Sequence, residues 1–330
     1  MAGKIDFVLT WVDGSDPDWI ASRNKYDNNA SGNKAAHYRD MGTLKYWFRA
    51  VEKYAPWVNK IHFVTCGQTP EWLNTEHEKL NLVSHSDYMP KEYLPTFSVN
   101  PIEMNFHRIK DLEEQFVYFN DDTFLNAPVS ETDFFKNGKP CDSAVFSALI
   151  PSVKNDVITN ILFNDLLLIN ANFNKRAALK GNLGKWLNLK YGKKIIKNLY
   201  YLPIGKFTGF ENPHLPNPFL KSTLEQVWEA EGEYLDMVSK NKFRTKEDVN
   251  QYLFRYWRLV KGDFVPSSAK IGECFVLGND NKIIESHINS KDIKLICIND
   301  NPLLEETEKE EKWLNALLES AYPEKSSFEK

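Results

Sequence analysis

The chain has 330 residues, 42% of them apolar and 26% charged, with a net charge of -4 at pH 7 and a pI near 6.0. That composition belongs to a globular protein, long enough for one large domain or two modest ones, and excludes a chain that is disordered throughout. An acidic balance argues against nucleic acid as the main partner, which normally demands a basic face.

Taken in chain order, several short apolar runs rich in Val, Ile and Phe each end on polar or turn-forming residues, as buried strands do. "IDFVLTWV" ends on Asp13-Gly14-Ser15-Asp16 and "KIHFVTC" on Gly67-Gln68. Between them, Leu44, Trp47, Phe48, Val51 and Tyr54 recur at helical spacing until Pro56, which makes a β-α-β unit. A similar helix fits "PIEMNFHRIKDLEEQ", leading into the strand "QFVYF" and its terminus Asn120-Asp121-Asp122. "SAVFSALI" reads as a further strand ending on Pro151-Ser152.

From about Asn155 the pattern changes to longer helices, "LKSTLEQVWEAEGEYLDMVSK" and "TKEDVNQYLFRYWRLVKG", preceded by the Pro- and Gly-rich loop "YYLPIGKFTGFENPHLPNP". Strands return at "KIGECFVL" and "KLICI", the latter ending on Asn299-Asp300-Asn301, and a charged amphipathic helix closes the chain. The expected organisation is an α/β core over 1–154, a helical insertion over 155–265, a return to the core over 266–302, and a terminal helix and tail over 303–330. Alternating strands and helices imply a mainly parallel sheet, and in such sheets ligands bind beyond the carboxyl ends of the strands. The acids therefore gather at the ligand edge.

The four cysteines, Cys66, Cys141, Cys274 and Cys297, form no CxxC pair, so the sequence indicates neither a zinc knuckle nor a small disulfide scaffold. The start "MAGKIDFVLTWVDG" lacks the features of a signal peptide, and the longest apolar stretch, "ITNILFNDLLLIN", is broken by Asn and Asp. Both point to a soluble cytoplasmic protein.

Adjacent carboxylates at a strand end repel each other and call for a turn, solvent or a cation. Hard oxygen ligands of this kind hold Mg²⁺ or Mn²⁺ while substrate phosphates complete the shell, although Asn-Asp clusters also simply make turns. The local pattern of "WVDGSDPDW" favours a turn, with Asp16 as a helix cap. Arg39 beside Asp40 either grips phosphate or pairs with its neighbour, and the local pattern favours pairing. His107 and Arg108 fit a packing or capping role. His214, in the loop "NPHLPNP", has no core to fill and titrates near neutral pH, as a general base would. Arg244 just precedes a helix, where an anion would also be drawn. The lysines from Lys180 to Lys206 read as a solvated face, with an anionic acceptor or a membrane surface as the functional alternative. No phosphate-loop, dinucleotide or hydrolase motif is present.

In their order, "IDFVLTWVDGSDPDW", "YRDMGTLKYWFRAVEKYAPWVNKIHFVTCGQTPEWLN", "LPTFSVNPIEMNFHRIKDLEEQFVYFNDDTFL", "NPHLPNPFLKSTLEQVWE", "NKFRTKEDVNQYLFRYWRLVKG", "ICINDN" and "PEKSSFEK" resemble the Stealth family over nearly the whole chain. The resemblance implies transfer of a hexose or N-acetylhexosamine 1-phosphate from a UDP-sugar to a hydroxyl of an acceptor glycan, free or lipid-linked, with release of UMP; the alternatives are a metal-dependent glycosyltransferase that releases UDP and a non-catalytic glycan-binding protein. The fold it implies is α/β, a Rossmann-like, glycosyltransferase-A-like mainly parallel sheet with a helical insertion. It assigns His214, Asp122, Arg244 and Asp13 to catalysis, and Arg39, Asp40, Asp16, Gly67, Gln68 and Asn120 to the nucleotide sugar. Asp121, Asp122 and Asp300 would hold Mg²⁺ or Mn²⁺. A bacterial cytoplasmic enzyme is implied, with at most peripheral contact at the inner face of the membrane. Met41, Thr43, Cys66 and Asn301 depart from residues common in the family, the last weakening a metal site built by Asn299-Asp300 alone.

Overall fold

The computed structural model describes residues 3–27, 38–151, 157–301, 303–304 and 306–330. Its main sheet has five strands: β1 (Ile5–Thr10), β2 (Ile61–Thr65), β3 (Leu80–Ser84), β4 (Gln115–Phe119) and, from much later in the chain, β8 (Asn217–Leu220). The spatial order is β3-β2-β1-β4-β8. The first four run parallel, and β8 closes the edge antiparallel to β4. β1 is buried on both faces, which is why "IDFVL" carries no polar alternation.

Alternate side chains of the sheet enter two different cores. Ile5, Phe7 and Leu9 of β1, with Val117 and Phe119 of β4, face the helix Leu44–Tyr54 and the terminal helix Thr307–Ala321. Val8, Phe116 and Tyr118 face a helical layer that includes Val157–Asn172, Lys221–Ser239 and Tyr252–Lys261. Strands run from β1 to β3 in one direction and restart at β4 on the other side of β1. The reversal makes the carboxyl ends of β1 and β4 a topological switch point, the usual place for a ligand crevice.

The expected α/β, mainly parallel class is the one observed, with several local differences. β10 (Gly272–Val276) and β11 (Leu295–Asn299) do not rejoin the main sheet; they pair with β5 (Thr123–Leu125) in a separate three-stranded sheet. β6 (Phe135–Lys136), β7 (Lys139–Asp142) and β9 (Val265–Pro266) form a third, small sheet. "SAVFSALI" is not a strand: only Phe146 bridges, to Phe210, and its amide donates to the side chain of Asn198 instead of to a ladder.

The helix expected over "PIEMNFHRIKDLEEQ" runs only Val99–Met104. Asn105 ends it by turning its amide back to the Pro101 carbonyl, and His107 and Arg108 lie in a single 3₁₀ turn. The helix in "TKEDVNQYLFRYWRLVKG" starts only at Tyr252, because Asp248 is held by Asn100, Asn241 and Thr245. β3 and β8 had no distinct signal, being short and half-polar or Pro-containing.

Candidate active site

The Asn120-Asp121-Asp122 stretch is both a turn and a site. Thr123 N donates to the Asn120 carbonyl across 3.1 Å, closing a turn with the two aspartates at its centre. The turn joins β4 of the main sheet to β5 of the second one, and the Asp122 carbonyl accepts from Ile298 N of β11 at 2.9 Å. Asn120 donates to the Tyr118 hydroxyl, itself 3.1 Å from Thr10 Oγ1, so the ends of β1 and β4 are cross-linked.

A cleft of about 550 Å³ opens over this turn. It brings together Arg39, Asp40, Asn120, Asp121, Asp122, His214, Arg244 and Asp300, eight of the residues singled out in the sequence. A smaller recess of about 140 Å³ adjoins it and shares Trp11, Val99, Asn120, Asp121 and Arg244. Its far wall is aromatic: Trp19 lies 4.9 Å from Tyr38 and 5.7 Å from Phe97, centroid to centroid. Beyond it lies an open trough bordered by Asp16, Gly67 and Gln68.

Asp13 lines none of these spaces. Its carboxylate accepts from the amide and hydroxyl of Ser15, and its backbone pairs with the Gln68 side chain, whose Nε2 donates to the Asp13 carbonyl at 3.0 Å. Asp16 caps the helix Pro17–Asn24 through Trp19 N at 2.8 Å, the turn-and-cap arrangement favoured by the local sequence. Gly67 has φ +105°, a conformation that suits glycine and lets its amide reach Thr65 Oγ1. Gln68 and Gly67 thus hold the β1 and β2 loops in place beside the recess.

The charges of the cleft are poorly balanced. Burial, then the charges of Asp122 and Asp40, push the Asp121 carboxyl up to about 7. Oδ1 of Asp122 is buried without a hydrogen-bond partner and lies 3.8 Å from His214 Nε2. Burial opposes a charged His214, but the Asp122 carboxylate and the Cys274 thiol outweigh it and raise the imidazole to about 9. Arg39 pairs with Asp300, Nη1 lying 3.0 and 3.2 Å from the two oxygens, and not with its neighbour Asp40. Asp40 accepts from Gly42 N, and burial raises its carboxyl. Arg244 is exposed and has no carboxylate partner among the described residues. A guanidinium at the junction of two cavities, facing buried acids, is suited to a phosphate.

Asp121 and Asp122 fit a hard divalent cation: two adjacent carboxylates, one raised to about 7 chiefly by burial and further by the charge of the other, with an orphaned oxygen between them and His214. Asp300 does not fit as the structure stands, because both its oxygens serve Arg39. A second donor set lies alongside. Cys274 and Cys297 are direct partners in β10 and β11, and with His214 they place three ligand atoms within 4.8 Å of one another. Their sulfurs are 3.0 Å apart, closer than the roughly 3.8 Å of two thiolates on one tetrahedral zinc with Zn–S near 2.3 Å. The arrangement is a hydrogen-bonded thiol pair: the Cys297 thiol, then His214, lowers Cys274 to about 6, and Cys297 itself reaches Asp122 Oδ2 at 3.5 Å.

Sequence reasoning missed this pair, since Cys274 and Cys297 meet only through strand register. It also missed Glu103, buried in the cleft wall, where desolvation pushes its carboxyl up to about 7 although Gln251 N donates to it at 3.0 Å. An acid among apolar residues in "NPIEMNF" was the available signal.

A switch-point crevice that holds paired acids, two arginines and a histidine defines an α/β enzyme of phosphate chemistry. Residues 3–31 match Stealth protein CR1, conserved region 1, and residues 37–142 match Stealth protein CR2, conserved region 2. The chain is 45% identical over 333 residues to a capsular polysaccharide phosphotransferase WcwK of Streptococcus pneumoniae, covering all of both chains. It is 41% identical to the exopolysaccharide phosphotransferase cps2G of Lactiplantibacillus plantarum, over 99% of this chain and 96% of that one. The chain belongs to the Stealth family. Among solved structures, the apo WbbM bifunctional glycosyltransferase matches with a TM-score of 0.33 at 10% identity, over 90% of this chain and 46% of that one.

Proposed function

We propose that the protein is a polysaccharide phosphotransferase that moves a hexose 1-phosphate or N-acetylhexosamine 1-phosphate from a UDP-sugar to a hydroxyl of an acceptor glycan. The observation that carries this reading is the convergence of Arg39, Asp121, Asp122, His214, Arg244 and Asp300, from five separate stretches of chain, on one cleft beside an aromatic recess. Full-length identity to relatives named as polysaccharide phosphotransferases supports the reaction class.

In this reading the uracil ring enters the recess between Trp11, Trp19 and Phe97, and the diphosphate lies where recess and cleft meet, under Arg244. The acceptor hydroxyl attacks the phosphorus that carries the sugar. The bond from that phosphorus to the bridging oxygen breaks, UMP leaves with the electron pair, and the sugar phosphate becomes a phosphodiester. His214, 3.8 Å from Asp122, positions the attacking hydroxyl and takes its proton through the minor neutral fraction that an imidazole raised to about 9 keeps near neutral pH. Arg244 holds phosphate oxygens, and Arg39 joins it by exchanging Asp300 for phosphate. Asp121 and Asp122 would hold Mg²⁺ or Mn²⁺, which when bound neutralises diphosphate charge. Most of the rate in such a transfer comes from positioning and charge stabilisation, which a cleft with this mix of groups supplies.

The test is the nucleotide released when purified protein is incubated with UDP-sugars, Mg²⁺ or Mn²⁺ and capsule fragments. UMP is expected. UDP would mean that the bond between sugar and phosphate breaks instead, which would overturn the phosphotransfer reading.

A further inference from the structure

We propose that the segment around the helix Ile195–Tyr201 is a docking surface for an anionic lipid bilayer. Between Lys175 and Phe210 the chain carries nine basic residues and no acidic one, although the net charge of the protein is -4. The structure adds an apolar stripe to that charge. Asn198 is fully buried; its side chain donates to the carbonyls of Ala144 and Trp186 and accepts from Phe146 N, so one side of the helix is fixed to the core.

At 100° per residue, Ile196, Leu199 and Tyr200 then share an arc of about 100° on the opposite side. They are 65%, 52% and 73% exposed, and Leu189, just upstream, is 90% exposed. Large apolar side chains on a soluble surface normally occur singly. Here they adjoin Lys190, Lys193, Lys194 and Lys197, all exposed. Lys194 and Lys197 share Glu211, at 2.8 and 2.6 Å, whereas Lys193 has no carboxylate partner among the described residues.

Apolar groups flanked by lysines are what an interfacial element presents to a membrane: the first enter the acyl boundary and the second meet anionic headgroups. Other occupants suit the surface less well. A soluble polyanion would satisfy the lysines and leave the stripe in water, and a second copy of the chain would bring like charge against like. Among the described residues no helix is long and apolar enough to cross a membrane, so the contact is peripheral.

The test is flotation of the full chain with phosphatidylglycerol–phosphatidylcholine vesicles and with phosphatidylcholine alone, at low and high salt and without any donor sugar. Its failure therefore leaves the released-nucleotide result untouched. Binding is expected to the anionic vesicles only, and to weaken with salt. Changing Lys190→Gln and Lys193→Gln together should weaken it roughly 25-fold, about fivefold per lysine. The combined Ile196→Ser, Leu199→Ser and Tyr200→Ser variant should lose vesicle binding while its melting temperature and its activity on soluble acceptor stay at the wild-type level. Absence of vesicle binding by the wild-type protein overturns the proposal. So does a serine variant that binds as the wild type does while both bind dextran sulfate, or one in which only the oligomeric state changes.

Discussion

Glu103 offers a direct measurement of how much stability the cleft gives up. It is 3% exposed and its carboxyl stands at about 7, raised chiefly by burial, against 4.5 for an ordinary glutamate. A carboxyl whose pKa is raised by folding contributes stability that is fully present below its unfolded value and is lost as pH rises through the folded value. The window here is pH 4.5 to 7, and the loss is about 1.4 kcal/mol per pH unit, or about 3 kcal/mol once pH exceeds 7. Glu103→Gln keeps the shape and the acceptor for Gln251 N but never ionises. The variant should therefore gain on wild type as pH rises, by about 3 kcal/mol between pH 4.5 and 8, or about 4 °C in melting temperature for a chain of this length. Urea or thermal melts of both proteins at half-unit pH steps would read this directly. A stability difference that stays constant across the range would refute the reasoning, because it would mean that Glu103 ionises in the folded state as readily as in the unfolded one.

Arg244→Ala and Asp122→Asn should each lower turnover roughly 10²-fold or more with little change in melting temperature; near-normal release of UMP would remove that residue from the site. Arg49→Ala should destabilise the fold by about 3–5 kcal/mol in urea denaturation, because Arg49 is buried against Glu329, 2.8 Å away, and its loss leaves that carboxylate without its counter-charge, held only by the amide and hydroxyl of Ser326. A loss under about 1 kcal/mol would show that the Arg49–Glu329 pair does not hold the C-terminal residues to the helix Leu44–Tyr54. Burial lowers His85 to about 4, so the folded protein should lose stability as pH falls from 6.5 towards 4; His85→Phe should flatten that part of the acid-denaturation curve, and an unchanged slope would count against a neutral buried imidazole. Gly67→Ala, at φ +105°, should weaken donor binding by displacing Gln68, measurable by calorimetry, and an unaltered affinity would free that loop from the site.

What the sequence determined by itself is local. Runs such as "IDFVL" and "QFVYF" are legible because a strand buried on both faces is apolar nearly throughout, the buried Asp6 of the first being paired with His62 and Asn59, and the Leu44–Tyr54 helix because its apolar residues recur at 3.6. The acids at the strand ends follow from the same logic, since turn chemistry is written within a few residues. Several decisive features are properties of facing surfaces. That Arg39 meets Asp300 across 261 positions, that Cys274 lies against Cys297, and that Arg244 opens onto two cavities depends on which strand pairs with which and where the helical layer closes. The same holds for ionisation: Glu103 and Asp121 are ordinary acids in the sequence, and only enclosure by the sheet and helices, which strips water from their carboxylates, moves both to about 7.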